Sequence, residues 1–274
     1  MILTGFSVLP QNPEQCSKTA DSLFSVKNYE AAELLYLRII FFESEAGLLS
    51  DYYKLAECLF FNQKTEDALF YYNIAYQNTN SKSEANNILF RKAMIYLLKN
   101  EYNESIRELL DVDTTIDAET QRRYFFYHGL LAYQNNLYDS SRQLFNQSLS
   151  EKADTVKINE IFSNIDFRNK PNPKTARALS MILPGLGQLY AGDIKNAVNS
   201  FVLNAVLAGV FLYVSQKYGI IDATLSVFPW FQRYYFGGFN RAKQIAQAKK
   251  DSKKDIQLLE IMNVFSAEKK YLYE

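Results

Sequence analysis

The feature that most limits what this chain can fold into is a repeat. Small residues Ala20, Ala56, Ala93 and Gly129 recur at intervals of 36, 37 and 36, each inside an apolar segment of helical period. Three more columns keep the register. Tyr29, Thr65, Tyr102 and Tyr138 stand nine residues on, Ala32, Ala68, Ser105 and Ser141 twelve, and Tyr36, Tyr72, Leu109 and Phe145 sixteen. Small residues at matching places on two successive helices let their axes approach, and a bulky side chain one turn later fills the space left. Such a pair cannot bury its face alone, so copies must stack into a continuous core. Asn28, Asn62, Asn100 and Asn135 or Asn136 fall where paired helices turn. The pattern predicts an all-α first half of about four helical hairpins over residues 14–168, with a last helix from Glu151 to Ile165 capping the stack.

The order small, large, small, aromatic, carried most closely by Ala56, Leu59, Ala68 and Tyr72, resembles the tetratricopeptide-repeat (TPR) family. The resemblance covers roughly residues 14–150 and implies an α-solenoid. The period here is two or three residues longer than that family's usual 34, and the proline that often ends a repeat is missing. In that family the first helix of each hairpin lines a concave groove for a polypeptide. Carried onto this chain, the groove consists of Tyr53, Glu57, Phe60 and Phe61, then Phe90, Met94 and Leu97, then Arg123, Phe126, Leu130 and Tyr133. So greasy a groove suits an apolar peptide or an amphipathic helix. The alternative is that several of these rings lie inside the stack.

Character changes after residue 168. Asn169 to Arg177 holds Pro171 and Pro173 and reads as a linker. Asn196 to Gln216 is a run of 21 uncharged residues, about the length that crosses a bilayer as a helix. Asn196, Asn199, Ser200 and Asn204 interrupt it at helical spacing, so they can share one face toward a neighbouring helix. A second segment, Ile220 to Phe239, is aromatic but carries Asp222, Pro229 and Arg233, and by itself would not pass as a span. The alternative is a soluble helical structural protein, with 196–216 a core helix and the C-terminal helices packed onto the repeats.

The run Pro184-Gly185-Leu186-Gly187-Gln188-Leu189-Tyr190-Ala191-Gly192 resembles the P-G-x-G-Q-x-Y-x-G signature that opens the two-transmembrane domain family. Tyr234 to Ala242 resembles the end of that module in bacterial proteins fused to such repeats. The resemblance covers about 175–245 and implies a bacterial membrane hairpin over 178–245. It also implies that the second segment enters the bilayer, and that Pro184, Gly185, Gly187, Gln188, Tyr190 and Gly192 form a close-packed entry turn. It brings no catalytic residues. Residues 246–274 remain as a charged tail with a short amphipathic helix, Asp255 to Phe265, whose apolar face needs a cover: the groove, the bilayer surface or a second copy of the chain.

The other end opens on an apolar stretch, residues 1–13, without the basic front of a secretory leader. It reads as the back half of a leader or as a cap over the first repeat. The leader reading and the flanking charges place the repeats on opposite sides of a membrane. A leader puts them outside, whereas Lys170, Lys174, Arg177 and Lys195 before the first span and Arg241, Lys243, Lys249 and Lys250 after the second put both flanks in the cytoplasm.

Thirty lysines and arginines balance thirty aspartates and glutamates, so no global field exists to hold nucleic acid. Cys16 and Cys58 are too few for a disulfide framework and read as buried apolar residues. His128, the single histidine, sits beside Gly129 on a packing face and cannot supply a metal site. Pro184-Gly185-Leu186-Gly187 lacks the lysine and hydroxyl of a phosphate loop. The sequence thus describes a non-enzymatic protein without cofactor or metal, whose partners are a polypeptide and a lipid bilayer.

Overall fold

Four turns carry the repeat into three dimensions. The computed structural model describes residues 13–42, 49–150, 152–163 and 170–266. The apolar segment 1–13 lies almost wholly outside these residues, as do 164–169 and 267–274. Every described element is a helix. In the first unit, residues 1–150, these are α1 (Pro13–Ser25), α2 (Tyr29–Phe42), α3 (Leu49–Phe61), α4 (Thr65–Asn78), α5 (Lys82–Leu98), α6 (Tyr102–Leu110), α7 (Ala118–Gln134) and α8 (Tyr138–Ser148).

Helices α1, α3, α5 and α7 each end with one residue in the left-handed region: Lys27, Gln63, Asn100 and Asn136, all at φ near 60° (61°, 63°, 61° and 60°). At each, two backbone bonds close the helix end. Asn28 N reaches Leu23 O, Lys64 N reaches Leu59 O, Glu101 N reaches Tyr96 O and Leu137 N reaches Ala132 O, all at 2.8–2.9 Å, the pattern of a Schellman cap. Asn28 and Asn62 therefore flank the special position, and only the last two repeats place an asparagine on it. That residue tolerates the left-handed region far better than lysine or glutamine does.

Three of the four columns read from sequence are interior, whereas Tyr29, Thr65, Tyr102 and Tyr138 are half-buried. Ala20, Ala56, Ala93, Ala32, Ala68, Ser105, Ser141, Tyr36, Tyr72, Leu109 and Phe145 are all fully buried. Where the second-helix column is serine, its hydroxyl donates to the first-helix carbonyl opposite, Ser105 Oγ to Ala93 O and Ser141 Oγ to Gly129 O, both 2.9 Å. At Gly129 a Cβ would stand 2.8 Å from the Phe145 ring, so that helix crossing admits no side chain. Tyr36 donates to Asp21 at 2.6 Å and Tyr72 to Glu57, tying each ring to the first helix of its own pair. Cys16 and Cys58 are free and buried.

The second unit, residues 151–274, contains α9 (Lys152–Ser163), α10 (Pro173–Ile182), α11 (Leu186–Tyr190), α12 (Ile194–Tyr218), α13 (Ile220–Ser226) and α14 (Phe228–Ser266). The described helices in this unit have bounds that differ from the expected segments. The predicted cap α9 belongs to this unit and packs on α14, with Gln257 Nε2 donating to Ile161 O at 3.4 Å. The linker is shorter than 169–177, because Pro173 opens α10, where a missing N–H costs nothing, and Asn172 Oδ1 caps it by accepting from Lys174 N at 2.9 Å. The tail does not start at 246, since α14 runs unbroken for 39 residues, about 58 Å. In its C-terminal stretch Ile261, Val264 and Phe265 are buried.

Candidate functional site

The predicted groove divides in two. Phe90 and Phe126 are 0% exposed, and Tyr133, Leu130 and Glu57 are also buried. Tyr53, Phe60, Phe61, Met94, Leu97 and Arg123 are half-buried. The expectation of an open apolar strip through Phe90 and Phe126 is therefore corrected. The reason is packing between helices: the Phe90 ring lies against Arg123 and Tyr127 of α7, and Phe126 lies against Phe145 of α8. Tyr53 stands at the same offset of three from its small residue, Ala56, and is only half-buried, so position along the helix alone does not decide burial.

In place of a greasy floor the first helices carry a polar network. Arg91 Nε lies 2.8 Å from Glu57 Oε1, with side chains only 12% and 3% exposed, and Tyr72 donates to the same oxygen. Tyr53 hydrogen-bonds both Arg91 and Glu57. Burial pulls the Arg91 guanidinium toward losing its proton, but Glu57, Tyr53 and Tyr72 outweigh this and hold its pKa above the ordinary value. One pair on, the Arg123 guanidinium sits 4.4 Å over the Phe90 ring and donates to Asn87 Oδ1 at 2.6 Å, while Tyr127 stacks on the other partner of that sandwich, Phe90, at 5.2 Å. These contacts join α3, α4, α5 and α7, so their work is to fix neighbouring helix pairs relative to each other. Sequence reading missed Arg91 because it listed only outward positions.

Beside this network the Cys58 thiol is pushed up to about 12 by burial, then by Glu33 and Glu57, and is held as an unreactive thiol. His128 packs against Tyr124 at 4.4 Å, and burial lowers its pKa, which favours the neutral ring. Among the described residues no three His, Cys, Asp or Glu side chains gather as a metal site would require.

In the second unit the glycine motif builds one tight junction. Gly185 (φ 95°) turns the chain into α11. A Cβ there would lie 2.4 Å from Ala197 O, and one at Gly187 would lie 1.8 Å from Ala176 O. Glycine at these two sites lets α10 and α12 close on α11. Gln188, 1% exposed, accepts from Ser180 Oγ at 2.8 Å and donates to Gly238 O of α14 at 2.9 Å. Ser180 Oγ in turn accepts from Gly187 N at 2.9 Å. The Tyr190 hydroxyl accepts from Asn172 N at 3.2 Å. Gly192 (φ 75°) completes the turn, and Lys249 Nζ donates to Ala191 O at 2.9 Å. Pro184, half-buried, precedes the turn. The motif residues predicted from sequence are thus brought together, and their chemistry is packing and backbone satisfaction.

From this junction α12 runs 25 residues, and it is the one helix among the described residues long and apolar enough to cross a membrane. Its most apolar window has mean hydropathy 1.9 and is only 11% buried. Val198, Phe201, Val202, Val206, Val210 and Leu212 are exposed, and so are Ile220, Ile221 and Leu225 of α13 and Trp230, Tyr234 and Phe236 of α14. The polar residues of α12 do not all share the inner face: Asn204 is buried, Asn196 and Ser200 half-buried, Asn199 exposed. Pro229 lies in the first turn of α14 and leaves the helix intact.

No protein family, no curated protein and no solved structure matches the chain.

One unit thus consists of paired helices joined by a polar network, and the other carries an exposed apolar belt beside a glycine junction.

Proposed function

We propose that the chain is a non-enzymatic, membrane-tethered interaction protein. Its first unit, a TPR-like solenoid on this reading, presents α3, α5 and α7 to a polypeptide, and α12 with α13 and the start of α14 anchors it in a bilayer. The observation that carries the reading is the exposure of α12. A helix this apolar inside a soluble protein is buried, and a patch this large on a soluble monomer is rare, whereas lipid is the solvent such a face needs. With Phe90 and Phe126 interior, the surface left for a partner is Tyr53, Phe60, Met94, Leu97 and Arg123, half-buried and mixed in polarity. A peptide that offers both an apolar side chain and a carboxylate fits it better than a purely apolar one.

The single tryptophan, Trp230, is 51% exposed on α14 and serves as the reporter. In reconstituted vesicles, lipids brominated along their acyl chains should quench it, and detergent-free ultracentrifugation should leave the protein in the pellet. A folded, unquenched protein in the supernatant would rule the anchor out and leave the soluble helical reading.

A further inference from the structure

Charge in the second unit is distributed unevenly. Residues 170–195 and 241–255 together hold ten lysines and arginines against three aspartates, and the 45 residues between them hold only Lys217, Asp222 and Arg233. In a chain whose total charge is zero, this concentrates positive charge at the glycine junction. Folding brings the two stretches together there. The Arg177 guanidinium sits 5.1 Å over the Phe239 ring of α14. Arg241 and Lys249 act on Asp193 at the start of α12, and Lys253 Nζ donates to Lys170 O at 2.9 Å. Asp193 is occupied as the cap of α12, accepting from Asn196 N at 3.0 Å and from its Nδ2 at 2.6 Å. Arg177, Lys195 and Arg241 remain exposed.

Each of these three cations stands within about one helical turn of an exposed apolar side chain: Arg177 before Met181 and Ile182, Lys195 beside Ile194 and before Val198, Arg241 after Phe236. A ligand that satisfies both must carry an anionic head directly joined to hydrocarbon. Nucleic acid and acidic peptides supply the charge and leave the apolar belt wet. We infer that Arg177, Lys195 and Arg241 form a headgroup-level site for anionic phospholipid, encircling the chain where α12 and α14 leave the bilayer. This rests on the membrane anchor proposed above and adds to it a lipid class and a position. Lipid phosphate pairs with guanidinium in bidentate fashion, and the site faces the leaflet in which the basic flanks lie.

The test uses the full chain with its reporter moved to the junction, Trp230→Phe/Ile194→Trp. It is reconstituted in vesicles of mixed phosphatidylcholine and phosphatidylglycerol in which one lipid or the other is brominated. Quenching by brominated phosphatidylglycerol should show a preference of about fivefold or more, the factor one basic residue contributes near an anionic surface. The preference should collapse toward unity in Arg177→Gln/Lys195→Gln/Arg241→Gln. It should also collapse, without any substitution, in salt high enough to shorten the Debye length to about 3 Å. The native Trp230, far along the hairpin, should show no preference. Equal quenching by both lipids at residue 194, or a preference that survives both the triple substitution and the salt, overturns the headgroup site while leaving the anchor intact. A preference of the same size at Trp230 overturns its location. No quenching by either lipid sinks the anchor itself.

Discussion

Replacing Arg91 by methionine removes one half of the most enclosed ion pair in the first unit and keeps most of the apolar volume. At 2.8 Å from Glu57 Oε1, the attraction in a medium of effective dielectric 20 is about 6 kcal/mol. Most of that is offset in the native protein by the cost of taking both ions out of water. Removing one ion reverses the balance, because Glu57, 3% exposed, keeps its desolvation cost and loses its cation, retaining only hydroxyl donors such as Tyr72. The expected loss is about 3–5 kcal/mol. Hydrogen exchange of the full chain, read peptide by peptide over α3, α4 and α5, isolates this unit from the second. If these amides exchange through opening of the unit, they should speed up by roughly 150-fold to several thousandfold, the same energy converted at RT of about 0.59 kcal/mol. Glu57→Gln/Arg91→Met, which leaves no buried charge, should be at least about 1 kcal/mol less damaging than the single change. Acceleration below about tenfold for Arg91→Met, or a double variant as unstable as the single one, would refute the reasoning and mean that water reaches the pair.

Phe126→Ala should cost about 3–5 kcal/mol, as large interior rings do, measured by the same exchange over α7 and α8; a near-zero cost would restore the open groove. Gly187→Ala should abolish a monodisperse, detergent-soluble protein, since its methyl would meet Ala176 O at 1.8 Å, whereas Gly237→Ala, with nothing within 4 Å, should behave as wild type in size-exclusion chromatography. Cys58, with its thiol pushed up to about 12, should resist iodoacetamide at pH 8 until the protein is denatured. Because the folded thiol holds its proton above the unfolded value, the stability linked to Cys58 is complete below about pH 9. It falls as pH rises toward 12, so melting temperature should drop across that window and Cys58→Ala should flatten the drop.

The amino-acid sequence by itself determined the helices, their pairing and where the chain turns between them, though not that Lys27 and Gln63 would take the left-handed position. Small and large residues at fixed spacing leave few other ways to bury a face, and Ala20, Ala56, Ala93 and Gly129 all prove to be contact points. The glycine motif was equally legible, since Gly185 and Gly187 sit where no side chain fits. Which face of a first helix is inside was decided only by tertiary structure. Phe90 and Phe126 look like ligand residues in a linear reading, yet side chains of neighbouring helices, Arg123 and Tyr127 on one and Phe145 on the other, cover them. The Glu57–Arg91 pair spans two helix pairs and leaves no local trace in sequence. Placement of α9 on α14 joins residues 96 apart, Ile161 and Gln257, and no periodicity foretells which of several apolar faces an amphipathic helix will choose. Local physics sets the period and the turn; the choice among equally apolar partners is a property of the whole fold.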